Sequence, residues 1–323
     1  MRVAVIGLGG TIAMTGPPEG GAMPALSAEQ LVAAVPGLTG LELEIVAESR
    51  LQLPGASVTI PDVVATLGAI ERHLDEGAAG VVVTQGTDTI EETSYLLDLL
   101  HRRPEPVVVT GAMRNPSLAG ADGPGNLLAA IVTAASPEAR ELGCLVVMSD
   151  EIHAASRVRK THSTSVSAFA SPTGGPLGHV AERRAHLINK PPRRLTLPAP
   201  NRQPRVGIYH ATLGDDGELL TAFAEQLDGL VIAAFGMGHV PATWVEPLTA
   251  TAQRIPVVFA SRTGAGMTGV NTYAFPGSEH DLITRGLIPA GHLDPLKSRL
   301  LLHLALSTDA DRTELANLFT LMS

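Results

Sequence analysis

Residues 80–100 read GVVVTQGTDTIEETSYLLDLL, and this stretch decides the fold. Val81, Val82 and Val83 put branched apolar side chains on both faces of a strand, which suits a strand covered on both sides, as in a parallel sheet. The following Gln85-Gly86-Thr87-Asp88 is turn chemistry, and Ile90 opens a helix-like run to residue 102. Thr89 followed by Glu92 has capping-box spacing. That spacing predicts Thr89 as a helix cap and leaves Thr87 and Asp88 without a capping duty at a strand end. Outward from here the pattern repeats. Strand candidates lie at 3–6, 42–47, 106–110, 144–148, 206–209, 230–234 and 256–260. Helical stretches at 28–34, 61–76, 125–135, 219–226 and 243–254 alternate with them, and 295–306 and 311–322 close the chain. The alternation predicts a doubly wound α/β fold.

The chain has 323 residues, a length that suggests about two domains. Residues 189–204, NKPPRRLTLPAPNRQP, carry five prolines and no periodicity, so they read as a linker. The expected organisation is two doubly wound α/β domains, 1–188 and 205–323, with a mainly parallel sheet in each. With 45% hydrophobic and 17% charged residues, a large core is available and wholesale disorder is excluded. The net charge of −9 and the 3% aromatic content argue against a nucleic-acid partner. Cys144 is the one cysteine, in an apolar run, and reads as a small buried hydrophobe. No apolar stretch reaches the length of a membrane span, and the N-terminal apolar run is too short for a signal peptide. The expectation is a cytoplasmic protein with no membrane partner.

Three short motifs carry candidate chemistry. Gly7-Leu8-Gly9-Gly10-Thr11-Ile12 follows the first strand, but a dinucleotide fingerprint needs glycine where Ile12 stands. Thr11 then either caps a tight turn or offers a hydroxyl at a strand end, under the Gly/Pro-rich loop 15–21 acting as a lid. Thr87 and Asp88 form the second group. The third is RVRKTHST at 157–164, either a solvated basic loop or a place where Lys160 meets a threonine and an aspartate. There its charge would stabilise an alkoxide and, partly desolvated, it would relay a proton. The 11 histidines show no HExxH spacing, and Glu279, His280, Asp281 and His292 read as surface loop, so no metal site is expected.

Taken in order, these segments resemble the bacterial asparaginase/glutaminase family over nearly the whole chain. They are GGTIA at 9–13, QGTDTIEET at 85–93, GAMR at 111–114, ADGPGN at 121–126, RKTHST at 159–164, GPLGHV at 175–180, PVVFASR at 256–262 and GHLDP at 291–295. The resemblance implies cofactor-free hydrolysis of L-asparagine to L-aspartate and ammonia. Thr11 matches the nucleophile, and Thr87, Asp88 and Lys160 match the second catalytic group. Ser57 (or its neighbour Ala56), Gly86, Ala112, His239 and Glu279 match substrate-binding positions, the last two completing a neighbouring subunit's site in a homodimer or a homotetramer built as a dimer of dimers. Two departures stand out. Where the family's lid carries a tyrosine, this chain has Gly21-Ala22-Met23-Pro24, and no tyrosine precedes Tyr95. The family's GxGNGN segment is shortened to Gly236-Met237-Gly238-His239. The tRNA-dependent amidotransferase subunit of the same superfamily has a domain ahead of its GGT turn, whereas GGT starts here at residue 9. A reading of another class is a catalytically weak amino-acid sensor that keeps the fold.

Overall fold

A computed structural model describes residues 1–15, 23–191 and 194–321. The chain divides into two compact units, Met1–Thr196 and Leu197–Ser323. The first unit contains strands β1 (Arg2–Gly9), β2 (Met14–Thr15), β3 (Met23–Pro24), β4 (Glu44–Leu53), β5 (Gly80–Thr84) and β6 (Val107–Thr110). It continues with β7 (Cys144–Met148), β8 (Glu151–Ala154), β9 (Arg159–Lys160), β10 (Phe169–Ala170), β11 (Gly178–Ala181) and β12 (Arg184–Leu187). Its helices are α1 (Ala28–Ala33), α2 (Ile60–Asp75), α3 (Ile90–Leu100) and α4 (Gly123–Ala135).

Eight of these strands form one sheet in the order β12-β11-β8-β7-β6-β5-β1-β4. The five from β7 to β4 are parallel, and β8, β11 and β12 add an antiparallel edge. The β5 residues are buried throughout because helices cover both faces. Val82, Val108, Leu145 and Val147 share one core cluster with Leu31 of α1 and with Leu127, Ala130 and Ile131 of α4. The chain leaves β1 toward β4, then crosses back through α2 to β5 on the other side of β1. The strand order therefore reverses between β1 and β5, and ligand crevices of open α/β sheets form outside the carboxyl ends of such strands.

The second unit has a parallel sheet β13 (Val206–His210), β14 (Gly229–Ala234), β15 (Val257–Ser261) and β16 (Ile288–Pro289). Its helices are α5 (Glu218–Ala224), α6 (Val245–Arg254), α7 (Glu279–Thr284), α8 (Pro295–Ser307) and α9 (Arg312–Leu321). Trp244, Phe259 and Leu248 centre its core.

The proline-rich stretch is tied into both units. Asn189 Nδ2 donates to Gly174 O at 2.8 Å, and Arg194 pairs with Asp98 of α3 at 3.2 Å. On the other side, His303 Nδ1 lies 3.0 Å from Pro204 O. Burial pushes the Asp98 carboxyl up to about 6, against the opposing pull of Arg194 and the Cys144 N–H. Cys144 is fully enclosed, as expected of a small buried hydrophobe, and burial first, with Asp98 second, pushes its thiol well above its usual value.

Candidate active site

Because β4, β1, β5 and β6 run parallel, the loops at their carboxyl ends lie on one edge of the sheet. Three glycines then let those loops touch. A Cβ on Gly10 would sit 2.0 Å from Gly86 N, and one on Gly86 would sit 2.6 Å from Gly55 N. No residue with a side chain fits at either contact. Gly10 also has φ 82, a left-handed value that favours glycine. The backbone segments Gly10-Thr11, Gly55-Ala56-Ser57 and Gly86-Thr87 therefore meet around one point. On the β6 side, a Cβ on Gly111 would meet Gln85 O at 2.6 Å and the Thr87 methyl at 3.4 Å. Gly86 has an ordinary φ of −67, so Gly86→Ala tests the contact by sterics alone. The variant is expected to fold only with the Gly55 turn pushed aside, so its melting temperature falls and kcat/KM drops about a hundredfold, the scale of a 1 Å misplacement. Thermal melting and steady-state rates check both halves, and unchanged kcat/KM would refute the packing argument.

Thr11 opens a single 3₁₀ turn, Thr11–Ala13, whose capping position is held by Gly10. The capping alternative for Thr11 is thus set aside, and among the described residues no hydrogen bond engages its hydroxyl. The strands β2 and β3 pair just beyond it, Met14 with Pro24 and Thr15 with Met23, and form the base of the loop expected to be a lid. The rest of that loop, including Gly21 and Ala22, lies outside the described residues.

Thr87, Asp88 and Lys160 come together. Lys160 Nζ donates to Thr87 Oγ1 at 2.9 Å and to Asp88 Oδ1 at 2.8 Å. The Lys160 side chain is 16% exposed and that of Asp88 62% exposed, so the ion pair lies at the rim of a buried threonine. The solvated-loop alternative for residues 157–164 fails at Lys160, which is carried inward on β9, opposite Phe169 of β10. Residues Thr87–Thr89 form a 3₁₀ turn ahead of α3. Thr89 stands at the capping position of α3, as the spacing predicts, but without the side-chain cap bond. Its Oγ1 donates instead to Gly55 O at 2.9 Å and fastens the Ser57 turn to the Thr87 turn.

Ser57 lies exposed in the 3₁₀ turn Gly55–Ser57, beside exposed Ala56. Ala112 is fully buried. Two neighbours whose roles no local pattern signals also frame the site. Asp122 accepts the N–H groups of Met113 and Arg114 at 2.9 and 2.8 Å. Asn126 Nδ2 donates to Gly111 O at 3.0 Å. Both fall in ADGPGN, so the motif was visible, but the contacts it makes were not.

In the second unit Glu279 is wholly buried, against the surface-loop alternative. Its Oε1 accepts the N–H groups of Thr272 and Tyr273 at 2.7 Å each, and its Oε2 lies 3.1 Å from His239 Nε2. Burial alone would raise the Glu279 carboxyl. The Tyr273 and Thr272 N–H groups, a backbone bond at Glu279 itself and His239 outweigh it and hold the carboxyl below its usual range. His239 packs edge-on against Tyr273 and Phe275, with ring centroids 5.0 and 5.1 Å away. Among the described residues no group of three or more His, Cys, Asp or Glu side chains could hold a metal ion, and no helix is long and apolar enough to cross a membrane.

The chain thus has two α/β units, with Thr11 just past the end of β1 and the Thr87–Lys160–Asp88 cluster beyond the end of β5. The asparaginase N-terminal family model matches residues 2–193, and the glutaminase/asparaginase C-terminal model matches 205–319. The chain belongs to the asparaginase family. It is 38% identical over 324 residues to a probable L-asparaginase of Deinococcus radiodurans, covering 99% of this chain and 97% of that one. It is 36% identical over 248 residues to L-asparaginase 2 of Escherichia coli, covering 74% of this chain and 70% of the relative. Its fold matches the crystal structure of a probable cytoplasmic L-asparaginase from Campylobacter jejuni with a TM-score of 0.87, 31% identity and 99% coverage of both chains.

Proposed function

We propose that this chain is an L-asparagine amidohydrolase with a threonine nucleophile. The carrying observation is the Lys160–Thr87–Asp88 cluster at the strand end whose Gly86 packs on Gly10, next to Thr11. Thr11 Oγ attacks the side-chain amide carbon as its proton passes to Thr87 Oγ1 and the Thr87 proton passes on to the amide nitrogen, a relay that the Lys160 ammonium steers through its hydrogen bond to Thr87. The C–N bond breaks, ammonia leaves with that proton, and an acyl-threonine ester remains. Water then attacks the ester, aspartate is released and Thr11 regains its proton. Thr87 Oγ1 accepts from the Lys160 ammonium, so its own O–H is free to relay a proton, and the ammonium stabilises negative charge on either oxygen. Backbone N–H groups near Gly86 and Thr87 hold the oxyanion. Asp88 spends Oδ1 on Lys160 and turns its exposed carboxylate toward the substrate's α-ammonium, while the Gly55–Ser57 turn receives the α-carboxylate. The site needs no cofactor in this reading.

The likeness to the Campylobacter protein supports a cytoplasmic location. We read the working form as a homodimer or a dimer of dimers, in which the His239–Glu279 pair of one subunit completes the site of another.

Asparagine is expected to be preferred over glutamine. Clamping both α-charges fixes the reach to the amide, and an added methylene carries the carbonyl off the nucleophile. A misplacement near 1 Å is worth about a hundredfold in kcat/KM. Ammonia release from L-asparagine, L-glutamine and D-asparagine measures this. Equal kcat/KM for the two L-amides would refute the clamp, and binding of asparagine without ammonia release would favour the sensor reading.

A further inference from the structure

The loop at residues 161–168 joins β9 to β10 and so hangs on the strand that carries Lys160. Its internal bonds are short-range. Thr161 N–H donates to Ala168 O at 2.7 Å, and His162 Nδ1 accepts the N–H groups of Thr164 and Ser165 at 3.0 and 2.9 Å. Among the described residues a single hydrogen bond carries this loop to the rest of the unit: Ser149 Oγ donates to Val166 O at 2.7 Å.

Ser149 is itself an unusual choice. It and Asp150 form the two-residue turn between β7 and β8, with φ 50 and 63. Turns of this kind favour glycine and asparagine, and a serine there is disfavoured. Strain of that sort at a position with a side-chain bond points to a use for the side chain. Ser149 is held in turn by Asn126, whose Oδ1 accepts the Ser149 N–H at 2.9 Å. Asn126 is buried on α4, and its Nδ2 also donates to Gly111 O and to Asp122 Oδ2, at 3.0 and 3.1 Å. A continuous line of bonds thus runs from Gly111, which abuts Thr87, through Asn126 to Ser149 and on to the Lys160 hairpin.

We propose that Ser149, anchored by Asn126, is a positioning residue that sets the Lys160 ammonium against Thr87 and Asp88. Strands β9 and β10 share only two residue pairs, Phe169 with Lys160 and Ala170 with Arg159, so their own ladder orients the lysine weakly. The tie to Val166 makes the hairpin move with the β6–β7 edge that also frames Thr87. The proposal rests on the reading of Lys160 as the charge that steers the Thr87 proton relay.

Ser149→Gly tests it, because it deletes the hydroxyl while suiting φ 50. The melting temperature is expected to hold or rise. kcat is expected to fall about ten- to a hundredfold with KM nearly unchanged, as for a reacting group displaced by up to 1 Å. Ser149→Asn also tolerates the left-handed turn and keeps a donor at its tip, so it is expected to restore most of kcat. In a Lys160→Met background, adding Ser149→Gly should lower kcat no further, since residues acting through one another are non-additive. Wild-type kcat in Ser149→Gly, a parallel loss of stability and activity, or full additivity with Lys160→Met would each overturn the brace. Near-normal turnover of Lys160→Met alone would overturn instead the reading on which it rests. If Ser149→Gly does not fold, Ser149→Ala takes its place in the same cycle.

Discussion

Thr11→Ala is expected to abolish turnover, by on the order of 10⁴-fold or more, in a protein that still folds, since removing a nucleophile collapses the rate to what binding and oxyanion stabilisation supply alone. The expectation combines three facts about position. Thr11 follows β1, at the reversal of strand order. Gly10 carries it against Gly86, so it lies beside the Thr87 turn. Among the described residues its hydroxyl has no structural bond to lose. Deleting one half-buried hydroxyl that has no bond among the described residues should change stability by about 0.5 kcal/mol or less. Thermal unfolding and ammonia release on the same preparation separate the two effects. A folded Thr11→Ala variant with near-normal turnover would mean that another group attacks the amide.

Lys160→Met and Asp88→Ala are expected to fail in different ways. Methionine keeps an unbranched stem close to that of Lys160 and removes the charged tip. It leaves Thr87 Oγ1 without its donor, and the loss should fall on kcat, about 10²- to 10⁴-fold, the range of general acid–base contributions. Asp88 has two duties in the proposed mechanism. It pairs with Lys160 at 2.8 Å, so its loss also lowers kcat by freeing the lysine. It also faces the substrate's α-ammonium, so KM rises as well. A KM increase confined to Asp88→Ala supports that division, and identical kinetic profiles for the two variants would show that the roles are drawn wrongly.

The parallel strands were legible because burial on both faces leaves a composition signature. Val81–Val83 and Val107–Val109 read as strands without help from their neighbours, and the structure places β5 and β6 there. The antiparallel edge was not legible. Strands β8, β11 and β12 are four residues each, and the turn joining β11 to β12 uses Glu182 and Arg183 at positive φ in place of the expected glycine or asparagine. Thr89 shows how a correct local pattern can lose to a distant partner. Its capping-box spacing is real, but Gly55 O, 34 residues away, takes the hydroxyl, and the turn tightens to 3₁₀ before the helix starts. Glu279 was open to a surface reading for the same reason. Nothing local signals that the N–H groups of Thr272 and Tyr273 will close over its carboxylate.

What the sequence determined by itself is which chemistry is available and in what order it comes along the chain. Alternating buried strands and helices force a parallel sheet, and a parallel sheet puts the ends of β1, β4, β5 and β6 on one edge, so Thr11, Ser57, Thr87 and Ala112 had to be neighbours in a broad sense. Only the tertiary structure decided how near they come and what holds them. The contact of Gly10, Gly55 and Gly86 depends on backbone surfaces from three separate strand ends, and the seating of Lys160 depends on a hydrogen-bond line through Asn126 and Ser149. Such contacts join residues far apart in sequence, and periodicity reports only the environment of one segment at a time.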